Sequence, residues 1–203
     1  MTRLKISRKI FNLSIIFAFL CSVFLSFANF NAACEELRQN VLRLHIVANS
    51  NSEFDQALKL KIRDAILEES SGVFENVREL DDAVTAAQNE IERFCDIANR
   101  VIKENNADYR ATAYIGDSYF ETRVYDDFTL PAGVYKSLIV SLGEAKGKNW
   151  WCVIFPEVCI PAAMGDLEQT VSYESSQIAK QPQGYVMRFK VVEIYEKIKK
   201  LIK

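Results

Sequence analysis

The chain has 203 residues and a formal net charge of −2, with 49% hydrophobic and 26% charged residues. That is enough chain to bury one core, and its mild acidity argues against a nucleic-acid partner, which needs a positive surface. A lone histidine excludes a multi-histidine metal cage, and the cysteines at 21, 34, 95, 152 and 159 contain no CxxC pair for zinc or dithiol chemistry.

At the N-terminus Arg3, Lys5, Arg8 and Lys9 stand without an acid, and an apolar run follows over residues 10–30. A basic stretch ahead of an apolar one is what export machinery reads. Ala28, Ala32 and Ala33 offer small residues to a signal peptidase, and a cut before Cys34 leaves one domain's worth of chain, more acidic by the four lost cations. The run is also long enough to span a bilayer. Residues 1–33 therefore read as a cleaved signal peptide or as an uncleaved membrane anchor. Asn31-Ala32-Ala33-Cys34 only half resembles a lipoprotein cleavage site, because it lacks a large aliphatic residue three places before the cysteine.

Residues 41–47 are β-rich and predict a mostly buried strand. Ala48-Asn49-Ser50-Asn51-Ser52 breaks it, and Ser50 with Glu53 forms a candidate capping box. The helix that follows to about residue 69 carries Leu58, Ile62, Ala65 and Ile66 on one face. Leu80, Val84, Ala87, Ile91, Phe94, Ala98 and Val101 recur at spacings of four and three, predicting one helix with a narrow apolar seam that Asn105-Asn106 ends.

Strands dominate next. Residues 109–115 and 119–125 flank Gly116-Asp117-Ser118, which reads as a hairpin turn. Residues 137–142 and 150–155 are two further strands around a polar, glycine-bearing loop. The order predicts an α+β fold: an antiparallel or mixed sheet of about five strands with two helices packed on one face, beside the N-terminal signal or anchor helix. This α+β domain covers residues 34–160. Residues 161–203 read as a polar linker, then a strand carrying Met187, Phe189 and Val191, then an amphipathic helix with Ile194, Ile198 and Leu201 at helical spacing. That helix either docks on the domain or touches a membrane surface.

Little catalytic chemistry is legible. The best enzymatic reading pairs Cys152 as nucleophile with His45 as base, which would make a secreted cysteine hydrolase. A buried thiol without an adjacent base is inert. Read alone, His45 is a hydrogen-bonded imidazole in or near the core, and Cys95 is a core residue. Cys152 and Cys159, with six residues between them that include Pro156, form a candidate disulfide in an oxidising compartment; the alternative is two reduced, buried thiols. Strand alternation sends Trp150 and Trp151 to opposite faces, one toward the core and the other outward as a candidate hot spot.

Two segments carry a resemblance. Leu42-Arg43-Leu44-His45-Ile46-Val47-Ala48-Asn49-Ser50-Asn51-Ser52, with Asp55-Gln56-Ala57-Leu58-Lys59 and Arg63-Asp64-Ala65, resembles the first signature of the stage II sporulation protein R family. Leu130-Pro131-Ala132-Gly133-Val134-Tyr135, then Gly143 and Gly147-Lys148-Asn149-Trp150-Trp151-Cys152-Val153-Ile154-Phe155-Pro156, resembles its second. Asn51 departs from an expected aspartate, and Glu157-Val158 from an expected proline and leucine.

The resemblance implies an exported signalling protein of endospore formation, acting in the space between forespore and mother-cell membranes. It would trigger a membrane-embedded aspartic protease, stage II sporulation protein GA, to process the precursor of sigma factor E. It implies no enzyme activity and no cofactor. The candidate partner-binding residues are His45, Asn49, Asp55, Arg63, Asp64, Lys148, Asn149, Trp150 and Trp151. A cell-envelope structural protein is the remaining alternative.

Overall fold

The computed structural model describes residues 8–70, 72–125, 128–156, 171–180 and 182–202. They form α1 (Arg8–Gln39), β1 (Leu42–Val47), α2 (Glu53–Ser70), α3 (Leu80–Asn89) and α4 (Ile91–Glu104), followed by β2 (Ala111–Phe120), β3 (Arg123–Val124), β4 (Thr129–Leu130), β5 (Gly133–Leu142) and β6 (Asn149–Phe155). After residue 170 come α5 (Tyr173–Lys180), a 3₁₀ turn (Pro182–Tyr185) and α6 (Val186–Ile202).

The four long strands make one mixed sheet in the order β2-β5-β1-β6. β1 runs parallel to β5 and antiparallel to β6, while β2 and β5 are antiparallel; β3 and β4 pair separately. The fold class is thus the mixed α+β arrangement that the element order predicts. Alternation in β1 sends Leu42, Leu44 and Ile46 to the face covered by α2, α3 and α4, where they meet Leu58, Ile62, Phe94 and Ala98. On the opposite face Leu37, Val41, Phe120, Tyr135 and Val153 form a second cluster, closed by Phe128, Leu130 and Ala179.

Several local expectations are corrected. Gly116-Asp117-Ser118 makes no turn: β2 passes straight through, pairing Gly116 with Ser137, Asp117 with Lys136 and Ser118 with Tyr135. The ten-residue ladder with β5 outweighs the local turn preference, and Lys136 reaches Asp117 at 2.9 Å. The seam helix is two helices that break at Glu90, with the apolar stripe continuing across the break. Met187, Phe189 and Val191 lie in α6 and not in a strand, and residues 173–180 of the expected linker are helical. The cap of α2 is Ser52, whose Oγ accepts the Asp55 amide at 3.1 Å, rather than Ser50. Cys95 is half-buried, its thiol bonded to the Ala111 carbonyl at 3.2 Å.

α1 is long and apolar enough to cross a membrane by length and composition. It does not stop at the alanines, so the boundary expected after Ala33 falls inside a continuous helix. Its last three turns bury Phe30, Ala33, Cys34, Leu37 and Arg38. Phe30, Ala33 and Cys34 form a third cluster with Ile178, Phe189 and Val192. Arg38 donates to the Ala132 carbonyl at 2.8 Å and pairs with Glu35 at 2.7 Å.

Candidate functional site

The two segments that carry the sequence resemblance meet at one end of the sheet. The chain leaving β1 at Asn49 and the loop between β5 and β6 are tied together by backbone bonds: Lys146 donates to the Asn49 carbonyl at 3.1 Å and Gly147 to the Ala48 carbonyl at 2.8 Å. Asn49 Oδ1 accepts the Glu144 amide at 3.0 Å, and Asn51 Oδ1 accepts the Lys148 amide at 2.8 Å. An amide oxygen at residue 51 does the accepting that a carboxylate would, so the asparagine leaves this bond in place. Gly143 sits at φ 54°, a region that favours glycine, and a Cβ at Gly147 would collide with the Ser50 backbone.

Asp55, buried in the first turn of α2, is the hub. Its carboxylate accepts from Asn49 Nδ2 at 3.0 Å, Ser50 Oγ at 2.6 Å and Tyr109 Oη at 2.6 Å. Burial works against its ionisation, but the bonds from Ser50, Tyr109 and Asn49 outweigh it and hold the carboxyl below its ordinary pKa. Its own burial, and then the same aspartate, raise the Tyr109 pKa. Beside this hub the buried Lys59 ammonium donates to Gln56 at 2.7 Å and to the Lys148 carbonyl at 2.9 Å. Burial, and then the Lys148 charge, push its pKa down.

The remaining candidates divide between the two faces of the sheet. On the helix side the Arg63 guanidinium lies 4.4 Å from the centre of the Trp150 ring and pairs with Asp64 at 2.5 Å. Lys148 and Asp64 are exposed, so with Arg63 and Trp150 they make a mixed polar and aromatic patch beside edge strand β6, whereas Asn149, also exposed, alternates with Trp150 and turns its side chain to His45 on the other face. On the other side His45 faces Trp151, with ring centres 6.0 Å apart, and hydrogen-bonds with Ser118 Oγ at 3.3 Å. The tryptophans do point to opposite faces, but neither stands outward: both are half-buried because the second face is also covered.

Burial lowers the His45 pKa, the Asn149 side chain opposes this, and the Arg43 charge adds to the lowering. A folded pKa below the unfolded value means that the unfolded chain takes up the proton first. Stability is therefore complete above the unfolded pKa of about 6.5 and falls as the pH drops below it. The melting temperature is expected to decline between about pH 7 and pH 5. A His45→Phe variant, followed by circular dichroism, should lose less of it; equal slopes would place the imidazole outside this balance.

The hydrolase pairing does not form. In the β1–β6 register Cys152 lies opposite Leu44 and is buried in the helix-side core, whereas His45 lies opposite Trp151 on the other face. The sheet itself separates thiol and imidazole. The expected partner of Cys152 in a disulfide, Cys159, lies outside the described residues. Among the described residues no group of three or more His, Cys, Asp or Glu side chains is placed to hold a metal ion.

Sequence reading passed over Arg43. It is fully buried at the second position of β1. Its guanidinium stacks 3.8 Å from the Phe120 ring centre and 5.0 Å from that of Tyr135, donates to Tyr125 Oη at 2.7 Å, and leaves Nη1 without a partner among the described residues. The available signal was a cation inside an otherwise apolar strand.

Comparison with known proteins adds three findings. A family model described as stage II sporulation protein R matches residues 38–164. Stage II sporulation protein R of Bacillus subtilis (strain 168) is 32% identical over 118 residues, 58% of this chain and 53% of that protein, so the match spans about half the length of this relative. No solved structure matches.

Proposed function

Since the chain belongs to the stage II sporulation protein R family, we propose that it is an exported signal between the two compartments of a sporulating cell. In this reading it triggers the membrane-embedded aspartic protease, stage II sporulation protein GA, which processes the precursor of sigma factor E. The observation that carries the reading is the family match over residues 38–164, which includes both strand-end segments and the junction they build. The apolar N-terminal helix is compatible with a signal sequence or an anchor, and so with export. Separation of Cys152 from His45 removes the best hydrolytic alternative and favours a binding role.

The patch of Arg63, Asp64, Lys148 and Trp150, with Asn149 beside it at the start of β6, is the proposed contact with the protease, since it joins an aromatic surface to charges beside an edge strand. Co-expression with the protease and its substrate precursor tests this. Cleavage should depend on this chain, remain unchanged in Cys152→Ser, and fall about tenfold in Arg63→Glu, the loss expected when a charged contact worth roughly 1.4 kcal/mol is reversed. Cleavage that proceeds equally without the chain would end the signalling reading. A cleavage-competent Arg63→Glu would move the contact elsewhere on the surface.

A further inference from the structure

The last helix is turned inside out for a soluble domain. The face that α6 packs onto the fold carries Phe189, Val192, Glu193 and Glu196, all at most 9% exposed. Glu193 is neutralised by Lys190 at 3.1 Å and Lys197 at 2.8 Å, and Glu196 lies 3.8 Å from Arg38 and 3.6 Å from Lys199. Its acids are used inward. The opposite face is apolar: at 100° per residue, Met187, Val191, Ile194, Ile198, Leu201 and Ile202 fall on one stripe. These six are 48–86% exposed, so the described residues leave the stripe open. Lys190 and Lys197 run along one margin of the stripe, with Arg188 and Lys199 along the other.

The position of α6 identifies what covers this stripe. The exposed apolar run of α1 extends from Ile10 to Leu25. α6 crosses α1 immediately beyond that run, with Tyr195 against Phe27 at 6.2 Å and Phe189 against Phe30 at 5.2 Å between ring centres. If the run of α1 sits in a bilayer, α6 lies at the level of the headgroups. An apolar stripe with cationic margins is the pattern of a helix lying in that interface, its lysine stems reaching along the apolar surface to anionic groups. A second copy of the chain fits less well. Stripe-to-stripe contact would set one row of cations against another.

We propose that α6 lies on an anionic bilayer surface through Met187, Val191, Ile194, Ile198, Leu201 and Ile202, orienting the sheet and its strand-end junction relative to the membrane. This does not depend on the signalling reading above; any anchored member of the family with this helix would be oriented in the same way.

The test uses the full chain in vesicles of phosphatidylethanolamine and phosphatidylglycerol, where α1 brings every copy to the membrane. Photoreactive p-benzoylphenylalanine replaces Ile198 in one variant and Glu104, an exposed position at the end of α4, in another. Irradiation should give lipid adducts at Ile198 in several-fold excess over Glu104, and the excess should shrink in pure phosphatidylcholine. Equal lipid labelling at the two positions would overturn the proposal. So would an adduct at Ile198 with a second copy of the chain, or with the protease when it is present. An Ile194→Glu/Ile198→Glu double variant gives the second arm: both side chains point outward, so its melt should match wild type, and its cleavage from vesicles by a water-soluble protease should be faster across α6. Unchanged proteolysis would likewise count against the helix resting on lipid.

Discussion

Asp55→Ala is expected to destabilise the chain by about 3 kcal/mol and to lower its melting temperature by roughly 10 °C. Three donors converge on this carboxylate, from Asn49, Ser50 and Tyr109. Removing it strands all three in a half-buried junction, each at a cost of about 1 kcal/mol or more. The α2 cap suffers little, because Ser52 Oγ still accepts the amide of residue 55. Asp55→Asn is the more informative partner. Its amide keeps one acceptor but turns a donor toward another donor, so roughly 2 kcal/mol should still be lost. Denaturant melts in mild detergent measure both. A loss below about 1 kcal/mol for alanine would mean that water replaces the carboxylate and the junction is loose.

The same site fixes a pH dependence. Asp55 has its folded pKa below the unfolded value, so its contribution is fully present above the unfolded carboxyl value of about 3.9 and is lost as the pH falls through the folded one. Acid unfolding of the wild type should therefore show a component below about pH 4 that Asp55→Ala lacks. The His45 effect lies at higher pH, which keeps the two experimentally separate.

What the sequence made legible was what local pattern controls. Leu42, Leu44 and Ile46 alternate strictly, and the structure puts them on one face of β1. The apolar spacing from Leu80 to Val101 also lines one continuous core face, although the backbone breaks at Glu90. Pairing partners were not legible. Gly116 and Asp117 carry turn chemistry, and only the ladder with β5 makes them strand. Apolarity also fails to separate an exposed run from the core: Phe24 and Phe30 look alike in the sequence, yet one is 69% exposed and the other 2%.

For the site, the sequence singled out the right segments and left their roles open. Asn49, Asp55 and Lys148 stood out as letters of two motifs 90 or so residues apart, and contact across that distance is a tertiary fact. Asn49 bonds Asp55 and the Glu144 amide, and the Lys148 backbone bonds Lys59 and Asn51, which is how the junction is held. These bonds leave Arg63, Asp64 and Lys148 as the members of the set whose side chains lie outside that network, beside Trp150.

Arg43 should respond oppositely to two substitutions. Arg43→Ala empties a fully buried volume between Phe120, Tyr135 and Tyr125, and is expected to cost about 4 kcal/mol, as for other large-to-small changes in a packed core. Arg43→Met fills most of that volume with an unbranched apolar chain. The guanidinium has no acid within ion-pair distance among the described residues, and its Nη1 has no acceptor, so its burial carries a desolvation cost that methionine removes. The stacking on Phe120 and the bond to Tyr125 offset part of that cost. The methionine variant should therefore melt within about 1 kcal/mol of wild type, on either side. A methionine variant as unstable as the alanine one would show that the two rings and the Tyr125 hydroxyl fully compensate the buried charge. If methionine keeps the fold and cleavage in the co-expression assay stops, the charge belongs to the proposed function, and the covered face of the sheet joins the strand-end patch as a candidate surface.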